Sequence, residues 1–282
     1  MDRVRCKSYA KINLTLNVTG EERGYHTLDS LVASVDLYDL IILKKRRDKL
    51  VSITMHGCGS ESIAFENNNA VRAAESFVNA FDTCGADITV YKNIPMGLGL
   101  GGSSADAAGV LNGLAKLYAI DDVAKLKLLA DGAGSDTRYM LTGGYARLYG
   151  RGDIVKAIES KLRLDILLLA PAQGVSTAEC YRRFSAPYSE GCDQAEQAVE
   201  NCDKHALAKY IGNDLTAPAV TISDDVRTAL DELEQFDPLA VNMTGSGSGV
   251  YAIFENPEFC AYAKSRYRGK FRAIQLKTVI PK

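Results

Sequence analysis

Four glycines and two serines stand where this chain could do chemistry. Gly97, Gly99, Gly101 and Gly102 precede Ser103 and Ser104 within Pro95-Met96-Gly97-Leu98-Gly99-Leu100-Gly101-Gly102-Ser103-Ser104-Ala105, and an alanine-rich run follows. Glycine lets the backbone take positive φ and approach a ligand closely. Successive free N–H groups, with the positive end of a following helix, then form an anion site suited to phosphates. Ser103 and Ser104 can cap that helix, hydrogen-bond a phosphate or hold a magnesium ion. A flexible turn with small residues for helix packing is the alternative, but six small residues at one helix entrance exceed what a turn needs. The loop therefore reads as a phosphate site. It is not a P-loop, which needs a lysine and then Ser or Thr after its last glycine, whereas Gly102 is followed by Ser103. Gly97-x-Gly99-x-x-Gly102 matches the dinucleotide spacing. The acidic residues about 20 positions on, Asp121 and Asp122, join two expected helices with no strand between them, against that reading. His-Arg-Asp and Asp-Phe-Gly, the signatures of protein kinases, are absent.

The bulk properties narrow the class. The chain has 282 residues, which at roughly 150 residues per domain favours two domains or one large one. Apolar residues at 46% and charged residues at 24% are the balance of a globular protein. A net charge of -2 argues against a basic field able to hold nucleic acid. No apolar run approaches the ~20 residues that cross a bilayer, and no h-region opens the chain, so neither a membrane partner nor a secretory signal is expected. Seven cysteines, an odd number and widely spaced, argue against a disulfide framework or a zinc ribbon and suit a reducing cytosol. His56 and Cys58 are the only metal-like pair, too little for a site. A cytoplasmic enzyme is the expectation.

These residues must be positioned by elements that the patterning also reveals. Val4, Cys6, Ala10, Ile12, Leu14, Leu16 and Val18 are apolar at alternate positions, with Ser8 the exception. A period of two over that length predicts a half-buried strand, or two strands joined by a bulge. Lys11 and Asn13 fall on its polar face, where solvation is the default. Further strands are expected at 28–43, 50–55, 86–91, 145–149, 164–170, 239–243, 250–254 and 271–279. Helices are expected at 70–81, behind an asparagine cap in 67–69, from the glycine loop to about 118, and at 122–130. Polar helices at 189–211 and 223–235, the latter capped by Ser223, precede a last one at 257–267. Ser176-Thr-Ala-Glu179 reads as a capping box. Asp136 follows a glycine-rich bend, where a carboxylate can be a base or merely the N-cap of a short helix. A charged segment near 155–162 is the candidate boundary. Strands and helices mix in both halves, so the class is α+β.

Ala10-Lys11-Ile12-Asn13-Leu14, Gly24-Tyr25-His26-Thr27-Leu28 and the glycine loop resemble the GHMP small-molecule kinases. Gly134-Ser-Asp136 ahead of Gly143-Gly144, Gly150-Arg-Gly, Asn213-Asp-Leu215 and Met243-Thr-Gly-Ser-Gly-Ser-Gly249 stand in the same order, so the resemblance spans essentially the whole chain. Within the family it points to the branch that phosphorylates a diphosphocytidyl ester of methylerythritol, at its 2-hydroxyl, in non-mevalonate isoprenoid synthesis. The resemblance implies an N-terminal domain, 1–158, like the second domain of ribosomal protein S5, which binds nucleotide. It implies a ferredoxin-like C-terminal domain, 159–282, which binds substrate. ATP and Mg2+ would be the cofactors, residues 95–105 the ATP loop, and a small-molecule cytidyl diphosphate the partner. No metal ligand is assigned, and monomer and homodimer stay open. Asp136 would be the general base, with Lys11 beside it holding the carboxylate ionised. Asn13 would hydrogen-bond substrate, Tyr25 and His26 would hold the cytosine, Tyr181 would cover its other face, and Gly247 would let backbone reach the substrate's phosphates.

Two departures from the family pattern are visible. Thr137 and Arg138 follow Asp136 where an apolar residue and a proline are usual, and Arg138 adds a cation near the acceptor site. Thr216 stands where a glutamate is common. Another GHMP kinase, of homoserine or mevalonate type, or a non-catalytic S5-like binding module are the competing readings. Asp106, in the helix after the loop, would contact nucleotide or metal, or only favour its helix N-terminus electrostatically.

Overall fold

A computed structural model describes residues 2–57, 59 and 65–281; Cys58 lies outside them, and with it the His56–Cys58 pair. The described chain forms two interleaved units. Of the described residues, the first comprises those within 1–10, 37–95 and 101–143, and the second those within 11–36, 96–100 and 144–282. No helix among the described residues is long and apolar enough to cross a membrane.

The alternation at the N-terminus resolves into two strands, β1 (Arg3–Asn13) and β2 (Thr15–Glu22), broken at Leu14. Ala10, Ile12, Leu14 and Val18 are fully buried, as the period requires. The polar face differs from expectation, because Lys11, Asn13 and Thr15 are at most 5% exposed. A burial of polar groups on both sides of a strand demands hydrogen-bond partners, and the site below supplies them.

In the first unit the C-terminal half of β3 (Tyr25–Lys45) pairs antiparallel with β5 (Ala86–Lys92), and β4 (Ser52–Gly57) pairs parallel with β5. That parallel pair needs a crossover, and α1 (Asn69–Phe81) provides it. Asn68 caps this helix through its side chain, which accepts from Ala70 N. α2 (Gly102–Tyr118), α3 (Val123–Ala133) and the short α4 (Thr137–Met140) complete the unit. The core joins Ile41, Leu43, Phe77, Ile88, Val110 and Leu114. α2 is buried on nearly every side, and its small residues follow from that. A Cβ on Gly109 would lie 2.5 Å from Ser8 Oγ and 2.6 Å from Ile41 Cδ1.

In the second unit β2 and the N-terminal half of β3 pair antiparallel, β3 pairs with β6 (Tyr145–Gly150), and β6 with β7 (Ile154–Ile158). β7 occupies the charged segment that reads as a boundary. Its residues are mostly exposed and it pairs with β6, an edge arrangement in which charge replaces alternation. A second sheet runs β10 (Ala240–Met243), β11 (Val250–Phe254), β8 (Asp165–Ala170), β12 (Arg272–Lys277), antiparallel throughout. Helices α5 (Thr177–Arg182), α6 (Asp193–Glu200), α7 (Lys204–Ala208), α8 (Thr216–Ile222) and α9 (Asp224–Glu234) separate β8 from β10. α10 (Pro257–Arg266) separates β11 from β12. The βαββαβ order is ferredoxin-like, as expected.

Three local expectations fail. Residues 189–211 form two helices, because Cys202 takes a left-handed φ of 56° that no helix continues through. A two-residue strand, β9 (Gly212–Asn213), follows and pairs parallel with β2. Ser223 precedes α9 but makes no side-chain cap bond. Ser176 does cap α5, yet Glu179 completes no capping box, since its carboxylate accepts from Arg183 Nε at 2.6 Å.

Candidate functional site

The glycine loop is built as its composition requires. Gly97, Gly99 and Gly101 take φ of 72°, 72° and 71°, a region open to glycine at no steric cost. Leu98 and Leu100 between them are buried and anchor the loop, while Gly97 and Ser103 are exposed. Gly101 is the N-cap of α2 and offers no side-chain cap, so the helix's first N–H groups remain for an anion.

Both ends of the loop are fastened by one buried network. Asp39 Oδ1 accepts the backbone N–H groups of Asn93 at 2.6 Å and Ile94 at 2.9 Å, just before the loop. Lys92 Nζ donates to Asp39 Oδ2 and, at 2.6 Å, to Asp106 Oδ2 in the first turns of α2. The three side chains are 2%, 0% and 5% exposed. Burial pushes the Asp106 carboxyl up, with Lys92 opposing, and the two carboxylates raise the Lys92 ammonium against its own burial. Asp106 thus serves an ion pair rather than the helix terminus alone, and its Oδ1 has no hydrogen-bond partner. Sequence patterning gave no sign of Asp39 or Lys92. Replacing Lys92 by Met should destabilise the fold by about 3–5 kcal/mol, the cost of stranding a buried charge. Urea unfolding measures it, and a loss below about 1 kcal/mol would contradict the network's role.

Asp136 stands at the N-cap position of α4 but makes no side-chain cap bond. Its turn packs against the first turn of α2. A Cβ on Gly134 would lie 2.9 Å from Ser104 Oγ, 3.0 Å from Thr137 Oγ1 and 3.2 Å from Asn69 Nδ2. Arg138, the unexpected cation, pairs through Nε at 2.5 Å with Asp131 of α3.

In the second unit Lys11 donates its backbone N–H to Leu100 O at 3.1 Å, and its Nζ donates to Asn13 Oδ1 at 2.6 Å. Asn13 Nδ2 donates to Ser30 Oγ at 2.8 Å, and Ser30 Oγ to Thr15 O at 2.5 Å. Asn13 Oδ1 also accepts from Gly245 N at 3.0 Å, and Tyr251 Oη donates to Asn13 O at 2.8 Å. At the C-terminal end of β1 the polar face is therefore interior, and Ser30, Thr244 and Tyr251 join Lys11 and Asn13 there.

Three aromatic rings gather in the second unit. His26 stacks on Tyr181 with ring centroids 5.3 Å apart, and Phe184 meets His26 edge-on at 5.7 Å. Nothing in the sequence singled out Phe184. His26 Nδ1 is buried without a hydrogen-bond partner. Direct stacking closes the gap between His26 and Tyr181, so a base would use an outer face of this pair. Tyr25 is apart from the stack, half-exposed, with the Arg151 guanidinium 3.8 Å over its ring. Gly247 takes φ of 91°, and Ser248 N donates to Gly97 O at 3.1 Å, so the 244–249 loop touches the glycine loop.

This architecture suits phosphates held on backbone N–H groups. Among the described residues no three His, Cys, Asp or Glu side chains gather to hold a metal. Magnesium is commonly retained by one or two carboxylates plus substrate phosphates; the buried Asp106, whose Oδ1 lacks a partner, and the exposed Ser103 hydroxyl stand at the loop.

Comparison with known proteins bears on the whole chain. The model of the GHMP kinases N terminal domain matches residues 68–144, and that of GHMP kinases C terminal matches 195–259. The chain is 31% identical, over 99% of its length and 98% of the relative's, to a 4-diphosphocytidyl-2-C-methyl-D-erythritol kinase of Caldanaerobacter subterraneus subsp. tengcongensis. It is 34% identical to another protein of that name from Alkaliphilus metalliredigens, over 95% of this chain and 92% of that one. A crystal structure of 4-(cytidine 5'-diphospho)-2C-methyl-D-erythritol kinase superposes with a TM-score of 0.83 at 27% identity, covering 98% and 99% of the two chains.

Proposed function

This chain belongs to the GHMP kinases, in the branch of 4-diphosphocytidyl-2-C-methyl-D-erythritol kinases, and we propose that it transfers the γ-phosphoryl group of ATP to the 2-hydroxyl of 4-diphosphocytidyl-2-C-methyl-D-erythritol. It is an ATP-dependent small-molecule kinase of isoprenoid precursor synthesis; the acceptor atom and the residue roles are our reading.

The observation that carries this reading is the run of left-handed glycines, Gly97, Gly99 and Gly101, that opens α2. Within the first unit the Asp136 turn packs on Ser104, and within the second Lys11 hydrogen-bonds Leu100. Phosphoryl transfer asks little covalent chemistry of a protein and much positioning and charge stabilisation. The N–H groups of Gly97–Ser104 hold the triphosphate. Asp136 takes the proton of the acceptor hydroxyl as it attacks. Lys11 orients the acceptor oxygen. Ser103 and Ser104 would help hold magnesium, which would supply charge neutralisation at the nucleotide's phosphates.

On the substrate side Asn13 hydrogen-bonds the methylerythritol unit, and Gly247 admits its phosphates to backbone. The cytosine stacks on the aromatic group of Tyr181 and His26, where the buried His26 Nδ1 gains the partner it lacks. Tyr25, under Arg151, borders the base from the start of β3. We assign 1–158 chiefly to nucleotide and 159–282 chiefly to substrate, with β1 serving both.

Truncating Tyr181 to Ala should raise KM for the cytidyl substrate about 10-fold and change kcat less. One base–aromatic stack contributes roughly 1–3 kcal/mol, and uniform binding appears in KM. Steady-state kinetics checks this, and an unchanged KM removes Tyr181 from the base site. A coupled ADP-release assay with the cytidyl compound, homoserine and mevalonate tests the assignment itself. Turnover of the cytidyl compound alone is expected, and turnover of either other alcohol in its place would end the proposal.

A further inference from the structure

Thr244 has one hydroxyl proton and two acceptors competing for it. Its Oγ1 accepts the Asn13 backbone N–H at 3.1 Å. It can donate to Asn13 Oδ1 at 3.4 Å or to Gly99 O at 3.3 Å. A hydroxyl has one donor, and both distances are long beside the ~2.7–2.8 Å of a strong O–H···O bond. Thr244 is completely buried, so its hydroxyl chooses between these two protein acceptors. Asn13 Oδ1 already accepts from Lys11 Nζ at 2.6 Å and Gly245 N at 3.0 Å. One acceptor lies on the nucleotide loop and the other on the strand that carries Lys11 and Asn13.

The backbone around this hydroxyl leaves little slack. A Cβ on Gly99 would lie 2.0 Å from Thr244 O, and one on Gly245 would lie 3.0 Å from Gly99 Cα. Asn213 Nδ2 holds the other side of the 244–249 loop, donating to Met243 O and Gly245 O at 2.8 Å each. A shift in either neighbour therefore changes which acceptor takes the Thr244 proton.

We propose that Thr244 is a positioning residue that couples the two substrates, so that nucleotide on the glycine loop strengthens binding of the phosphoryl acceptor. Phosphates held by the Gly97–Gly99 backbone fix the Gly99 carbonyl, which then takes the proton. Asn13 Oδ1 is left to Lys11 and Gly245, and the acceptor meets a single arrangement of Lys11 and Asn13. The coupling is reciprocal, as any binding linkage must be. The identity of the acceptor rests on the function proposed above.

Titration calorimetry with the diphosphocytidyl substrate tests this, on the free enzyme and on enzyme saturated with magnesium and a non-hydrolysable β,γ-imido ATP analogue. In the wild type the nucleotide should lower Kd for substrate by at least about 5-fold, the low end of ordinary coupling. Thr244→Val, which keeps the shape and removes the hydroxyl, should bring that ratio close to one, and Thr244→Ser should restore it. A wild-type ratio of one, or a valine variant with the full ratio, overturns the proposal. No binding to either form overturns the substrate assignment and this proposal with it. Hydrogen exchange on the native chain gives a second readout that needs no variant. Substrate alone should slow amide exchange within 96–100, and unchanged exchange there overturns the coupling.

Discussion

Asp136→Asn should lower kcat by at least about 100-fold while leaving the affinity for ATP within a few-fold, the low end of what a positioned general base contributes. The substitution preserves the size of the side chain, and Asp136 makes no side-chain cap bond to α4. Loss of the carboxylate removes the acceptor for the hydroxyl proton. Equal falls in kcat and kcat/KM for the alcohol would mark an interaction made only in the transition state. Near-normal turnover would remove the base role and leave Asp136 as part of a turn. Phosphoryl transfer with a loose transition state can tolerate a weak base, which makes this the sharper of the site's tests.

Gly99→Ala should lower kcat/KM for ATP by about 100-fold or more. The added Cβ would lie 2.0 Å from Thr244 O, 2.8 Å from Thr244 C and 3.2 Å from Gly245 Cα. Backbone cannot swing aside as a side-chain end can, so one loop must move. A φ of 72° adds strain of about 1–2 kcal/mol for any residue with a Cβ. A displacement near 1 Å at a phosphate cradle is enough for a hundredfold loss. Gly132→Ala is the control, since nothing lies within 4 Å of a Cβ there and the residue sits inside α3. That variant should bind ATP normally and gain a little stability. Wild-type ATP kinetics in Gly99→Ala would show that the loop does not need its contact with Thr244.

Periodicity and glycine chemistry made much of the scaffold readable in the sequence. The alternation of residues 4–18, the Asn68 cap, the glycine loop and the βαββαβ order of the second sheet follow from local patterns that physics enforces locally. The failures share a cause, which is that what covers a residue is not a local property. A period of two places Lys11 and Asn13 on one face but does not say that the face is interior. Asn13 and Thr244 are hydrogen-bonded across 231 positions, and Arg147, whose guanidinium joins Asp29 and Glu196, spans 118 and 49. No spacing rule reaches such pairs. Lys92 and Asp39 carry no local signal, although together they fix both ends of the phosphate loop. Cys202 ends a helix in a conformation its side chain does not advertise. The expected roles of Lys11 and Asp136 came from family resemblance, because a lysine on a strand and an aspartate after a bend have commoner uses.

The most direct test of the account is phosphorus NMR of a reaction holding enzyme, ATP, magnesium and 4-diphosphocytidyl-2-C-methyl-D-erythritol. The 2-carbon of methylerythritol bears the methyl group and no hydrogen. A phosphomonoester formed there shows no three-bond coupling to a carbinol proton, and it should appear mole for mole with ADP. A monoester split by a carbinol proton would place the phosphate on another hydroxyl, and ADP without any new monoester would show that the cytidyl alcohol is not the acceptor.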